Sequence, residues 1–154
     1  MIRWIALLAL VLAAGSFVSV RPNRAIAAAQ PGAARFSYVD VYLDAKAESF
    51  AAYQFEFVAE KGHATVVGIE GGEHPAFAKN PPYYDAAALG RNRVILAAFS
   101  TEKQLPKGKS RIARIHLMIE GDQPQYAVKL VVAAKGDGTA ITRADMSFSE
   151  GSKP

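Results

Sequence analysis

Cysteine is absent from the 154-residue chain, and tryptophan occurs once, as Trp4. The first absence excludes a disulfide framework, thiolate metal ligands, a cysteine nucleophile and lipid attachment at a cysteine. Burial must therefore supply the stability. The second leaves everything beyond the N-terminal run without the side chain best suited to a flat stacking platform. Histidine is scarce as well. His63, His74 and His116 follow no H-E-x-x-H or H-x-H spacing, so no zinc-ligand pattern exists. Neither G-x-S-x-G, S-x-x-K nor a Walker-type loop occurs. Gly68-Ile69-Glu70-Gly71-Gly72 is followed by no helix pattern, which leaves a phosphate-cradling role unsupported. Asp137 is a single carboxylate where calcium needs about six to eight oxygens, so it reads as a turn residue. No cofactor is implied.

The N-terminus is the one long apolar run. Met1-Ile2-Arg3 is a short basic start, Trp4 to Val20 carries no charge, and Ala25-Ile26-Ala27-Ala28-Ala29 offers small residues for cleavage. This layout predicts a secretory signal over 1–29, hence an exported protein: periplasmic, cell-surface or extracellular. The alternative is a retained anchor, because about 17 apolar residues are just long enough to span a bilayer. Membrane contact is expected only through this segment, if it stays uncleaved.

Charge is informative once that segment is set aside. Of 18 basic residues, Arg3, Arg21 and Arg24 belong to it, which leaves 15 against 14 acidic residues and a net charge of +1 instead of +4. A nucleic-acid partner, which wants a concentrated basic patch, is not expected. Lys103, Lys107, Lys109, Arg111 and Arg114 form a local basic run that reads as a solvated loop and strand face.

The remaining residues are one domain of ordinary size, and their pattern is period two. In Arg111–Glu120, Ala113, Ile115, Leu117 and Ile119 alternate with positions that include Arg114 and His116. Val39, Val41 and Leu43 alternate with Tyr38, Asp40 and Tyr42. Tyr53, Phe55 and Phe57 alternate with Gln54 and Glu56, and Ala64–Glu70 adds a β-branched run close enough for a hairpin across Lys61-Gly62-His63. Arg93–Phe99 is apolar on both faces, as for a central strand covered on both sides. Gly121–Pro124 reads as a tight turn into 126–134, with Tyr126, Val128, Leu130 and Val132 facing inward. Lys135-Gly136-Asp137-Gly138 is a turn, and 140–148 a last strand with Ala144, Met146 and Phe148 on one face. Asp44–Ser49 is a polar connection with room for a brief helical turn. The expected fold is all-β: a two-sheet antiparallel sandwich or jelly roll over 36–148, seven strands read directly and about nine in all, after a lead-in at 30–35 and before a tail at 149–154.

Residues 71–93 break the rhythm with Gly71-Gly72, Pro75, Pro81-Pro82 and Gly90, and with Phe77, Tyr83 and Tyr84 interspersed. Loops this long are usually functional or partly structured. Asp85 is placed to cap one helical turn. Phe77, Tyr83 and Tyr84, together with Tyr38 and Tyr42 on the first strand, are the candidate partner-binding residues, since aromatic faces bind sugar rings or anchor protein partners. The competing reading buries the loop aromatics as a satellite core.

Tyr38–Asp44, Ala52–Val58, Arg93–Phe99, Arg111–Glu120 and the Gly-Asp-Gly turn before Ile141 together resemble, over about 38–148, the strands of bacterial cohesin-like domains. The resemblance implies a nine-stranded jelly roll related to some carbohydrate-binding modules. It also implies non-catalytic binding of dockerin-type protein partners or of cell-surface or polysaccharide material. Ala59-Glu60-Lys61-Gly62 departs from the family's aromatic–acidic turn, and no dockerin-contacting residue maps onto this chain. The leading expectation is a secreted binding module with no catalytic residues. The rivals are a small secreted hydrolase using Glu70, Glu73 and Asp85, and an envelope component held by Trp4–Val20.

Overall fold

The alternating segments become five strands in the computed structural model, which describes residues 33–152. They are β1 (Arg35–Ser49), β2 (Ala52–Glu70), β3 (Arg93–Phe99), β4 (Lys107–Ala134) and β5 (Asp145–Ser152). All pairings are antiparallel, in one sheet of order β3-β2-β4-β1-β5. A one-turn helix α1 (Pro75–Ala78) and a 3-10 turn at Ala86–Ala88 lie between β2 and β3. The expected signal over 1–29 falls outside the described residues. Among those described, no helix is long and apolar enough to cross a membrane.

Strands are fewer than expected because two apparent turns are bends. Ala52–Ala59 and Ala64–Glu70 do not fold into a hairpin; both belong to β2 and both pair with β4. Arg111–Glu120 and Tyr126–Ala134 likewise run on as β4. The register passes from Ala59↔Tyr126 through Lys61↔Gln125 to His63↔Glu120, with Gly62 and Gly121 at φ 79 and 72. A β-bulge and a hairpin turn ask for the same residue types, glycine at positive φ among them, so the sequence cannot separate them. Asp44–Ser49 is another bulge, not a helical turn. Lys46 sits there at φ 56, and its N–H donates to Asp44 Oδ1 at 2.9 Å.

The bends fold the sheet back over itself. Tyr53 pairs with Ala133 on β4, yet its hydroxyl donates to the carbonyl of Ile112 at 2.8 Å. On a straight β4 those two residues, roughly 20 positions apart, would be about 70 Å from each other. One face of the folded sheet therefore becomes the interior. Val39, Val41, Leu43, Ile115, Leu117 and Ile119 join Phe55, Phe57 and Leu96 in a single fully buried cluster. Each of these side chains contributes about 1.5–3 kcal/mol by leaving water. The alternation read for β1 holds for Val39, Val41 and Leu43, and that for Arg111–Glu120 holds from Ala113 onward; Asp40, and Ile112 at the register shift opposite Val41/Tyr42, are buried where the outward face was expected.

Three expectations change. The register shift at Gln54/Phe55 makes Val131 a bulge residue, which reverses the phase of β4 beyond it. Tyr126, Val128 and Leu130 pack on the core as expected, but Val132 is exposed and Ala133 is buried in its place. β5 continues through Gly151, paired with Tyr38, so most of the expected tail is sheet. Finally, β3 is an edge strand, not a central one.

Candidate binding surface at the β3 edge

The 71–93 segment is organised by two local caps and one ring. His74 Nδ1 accepts from the N–H of Ala76 at 3.2 Å, with Pro75 opening α1. Asp85 Oδ1 accepts from the N–H of Ala87 at 2.9 Å, as its position before three alanines predicts. Phe77 is buried, its ring stacked on Phe50 at 5.7 Å and tilted against Tyr53 at 5.3 Å. Of the three loop aromatics, Phe77 is thus a core residue with little surface to offer a partner. Tyr84 is half-buried against the core. Tyr83 is the exposed one.

Tyr83 is held by its backbone. Its N–H donates to Ala97 O at 2.7 Å, and Ala97 N–H donates back to Tyr83 O at 2.9 Å, a single bridge on the outer edge of β3. Its ring lies parallel to Phe99, within 10° at 6.2 Å between centroids. Tyr83 is 69% exposed and Phe99 65%. Two shallow grooves meet at Tyr83. One, of about 530 Å³, runs between Lys79, Asn80 and Pro81 on one wall and Phe99, Ser100, Thr101 and Glu102 on the other, with Phe77 below. The second, of about 700 Å³, lies between Tyr84–Ala88 and Arg91–Ile95.

The outer side of this part of the sheet exposes apolar side chains among polar ones. Ile95 pairs with Glu56, and Ala97 with Gln54, which in turn pairs with Val132. Ile95 is 40% exposed and Val132 41%. Arg93 bonds Glu56 beside them. β3 is apolar on both faces, as read from its sequence, but only Val94 and Leu96 are buried. Phe99 and Ile95 were thus missed as surface residues. Their signal, a doubly apolar strand, was visible; the vacancy over one side was not.

Tyr38 and Tyr42 lie elsewhere, on the outward side of the β1–β4–β5 region, and are not brought to Tyr83. Asp40 between them is buried and takes a two-pronged hydrogen bond from Arg114, 2.7 Å from Nε and 2.8 Å from Nη2. That carboxylate holds the guanidinium firmly in its charged form, above its usual range. Arg114 also covers the Tyr38 ring at 4.1 Å, and Lys109 sits 4.9 Å over Tyr42. The ring tip of Tyr38 rests on Gly151, where any Cβ would lie inside its van der Waals envelope. Both tyrosines are engaged within the molecule, each with a ring face taken by a cation.

The carboxylates considered for hydrolysis each have a local partner. Glu70 Oε1 is 2.7 Å from His116 Nε2, and Glu73 Oε1 accepts from the N–H of Arg111 at 2.8 Å. Asp85 caps its turn. Among the described residues no group of three His, Asp or Glu side chains could hold a metal ion. Asp137 accepts from the N–H of Thr139 at 2.9 Å, which lowers its pKa and makes it the turn residue expected.

No protein-family model, curated protein or solved structure matches the chain. Nothing in these comparisons identifies a cohesin-like domain. Any functional reading therefore rests on the surface just described.

Proposed function

We propose that this chain is an exported, non-catalytic binding module with a cohesin-like jelly-roll sandwich, and that it engages its partner at the β3 edge. The observation carrying this reading is the exposure of Phe99 and Ile95 on β3, a strand apolar on both faces, with exposed Tyr83 bridged to its edge. Exposed aromatic and aliphatic side chains gathered on one rigid surface are what an interface core requires. Two features support the rest. The overfolded sheet, with Tyr53 reaching Ile112, suits a two-layer sandwich. Glu70, Glu73 and Asp85 are each engaged locally, which favours binding over a carboxylate mechanism.

Tyrosine footprinting tests the reading. The purified domain is modified with a tyrosine-specific reagent, with and without cell-envelope material from its source, and mapped by mass spectrometry. Protection of Tyr83, with Tyr42 unchanged, is the expected result. Equal reactivity of Tyr83 in both samples would overturn the placement of the site.

A further inference from the structure

We propose that the groove beside Tyr83 and Phe99 takes an uncharged oligosaccharide, with the two rings as its stacking wall. The inference deepens the binding-module reading and rests on it. Sugar recognition needs an apolar face for the C–H side of the ring and short polar groups for its hydroxyls, and both are present. Tyr83 and Phe99 are parallel within 10° and exposed over most of their surface. The rest of the groove lining adds the amide of Asn80 and the hydroxyls of Ser100 and Thr101. Ser100 Oγ accepts from the N–H of Glu102 at 3.2 Å, which leaves its proton to donate outward.

The charge of the groove beside Phe99 is balanced. Lys79 and Glu102 are the charged residues of the groove, and their side chains lie 4.0 Å apart. The groove therefore carries no net formal charge to draw in an anion or a cation from a distance, while neutral hydroxyls still find donors and acceptors. The volume of about 530 Å³ falls in the range of small-molecule sites, and the second groove beyond Tyr83 extends the path for a chain.

The wall is also preorganised. Tyr83 is fixed by two backbone hydrogen bonds to Ala97, and Phe99 precedes Ser100, whose N–H donates to Ala51 O at 2.8 Å. The backbone beneath both rings is thus already ordered, which lowers the cost of binding. Two single-ring side chains make a smaller platform than tryptophan would, so selectivity for chain over monomer is expected.

Affinity electrophoresis supplies the test, with hydroxyethylcellulose, xylan and galactomannan as neutral probes and alginate as an anionic one. Retardation by at least one neutral polysaccharide is expected. Tyr83→Ala and Phe99→Ala should each weaken it at least about tenfold, the scale of removing a central aromatic contact. Tyr42→Ala should not change it. Because the Tyr83 bridge is made by backbone atoms, alanine keeps the loop in place, and circular dichroism verifies the fold. Retardation by alginate alone, or binding that survives the Tyr83→Ala/Phe99→Ala double variant, overturns the proposal. If every polysaccharide fails while envelope material still protects Tyr83, the sugar assignment falls and a protein occupies the surface. If both fail, the binding site itself is misplaced.

Discussion

Phe77→Ala separates the two roles the long segment could have had. The ring is only 6% exposed and packs between Phe50 and Tyr53, so its removal deletes a core aromatic instead of a ligand contact. Phe→Ala in a core costs about 3–5 kcal/mol, transfer and cavity terms together. For a domain of this length that is a fall in Tm of roughly 10–20 °C. Tyr83→Ala, by contrast, should stay within about 0.5 kcal/mol, as for an exposed side chain. α1 is four residues long and carries one buried side chain, so the segment has a second way to respond: it can detach locally. Urea unfolding and hydrogen exchange, run on both variants, distinguish these outcomes. Global loss shows in the midpoint, and local detachment shows as faster exchange of the Tyr83 and Ala97 amides. A loss below about 1 kcal/mol with those amides still protected would refute the assignment of Phe77 to the core.

Two further tyrosine variants should differ in sign. Tyr53→Phe removes the donor to Ile112 O and should cost about 1 kcal/mol in urea unfolding. Tyr126→Phe should be neutral or stabilising at pH 7, because its hydroxyl is buried without a partner. Burial pushes the Tyr126 phenol up to about 12. An acid whose folded pKa is raised contributes stability that is intact below the ordinary value near 10 and lost as pH rises toward about 12. Alkaline unfolding followed by tyrosine absorbance should therefore be less steep in Tyr126→Phe. Gly151→Ala drives a methyl group into the Tyr38 ring and should destabilise by about 1–3 kcal/mol, read as a fall in Tm. Tyr38→Ala in the same background should restore most of that loss.

Much of this architecture was legible from alternation alone. Ala113, Ile115, Leu117 and Ile119 are buried, with Arg114 and His116 outside, because a strand sends successive side chains to opposite faces whatever its neighbours are. Asp85 as a cap and Lys135–Gly138 as a turn were equally local, each closed by hydrogen bonds a few residues long. What the tertiary structure alone decided was non-local. Whether Gly62 turns the chain back or bends it depends on β4, which supplies partners on both sides of the bend. Val132 faces water because of one bulge residue, Val131, that no pattern of apolar residues announces. Phe77 and Tyr83, six residues apart and alike in sequence context, parted for the same reason. One ring met Phe50 and Tyr53 across the fold, and the other was pinned by Ala97 to an open edge. Periodicity specifies which side chains share a face; only the packing of distant strands specifies whether anything covers it.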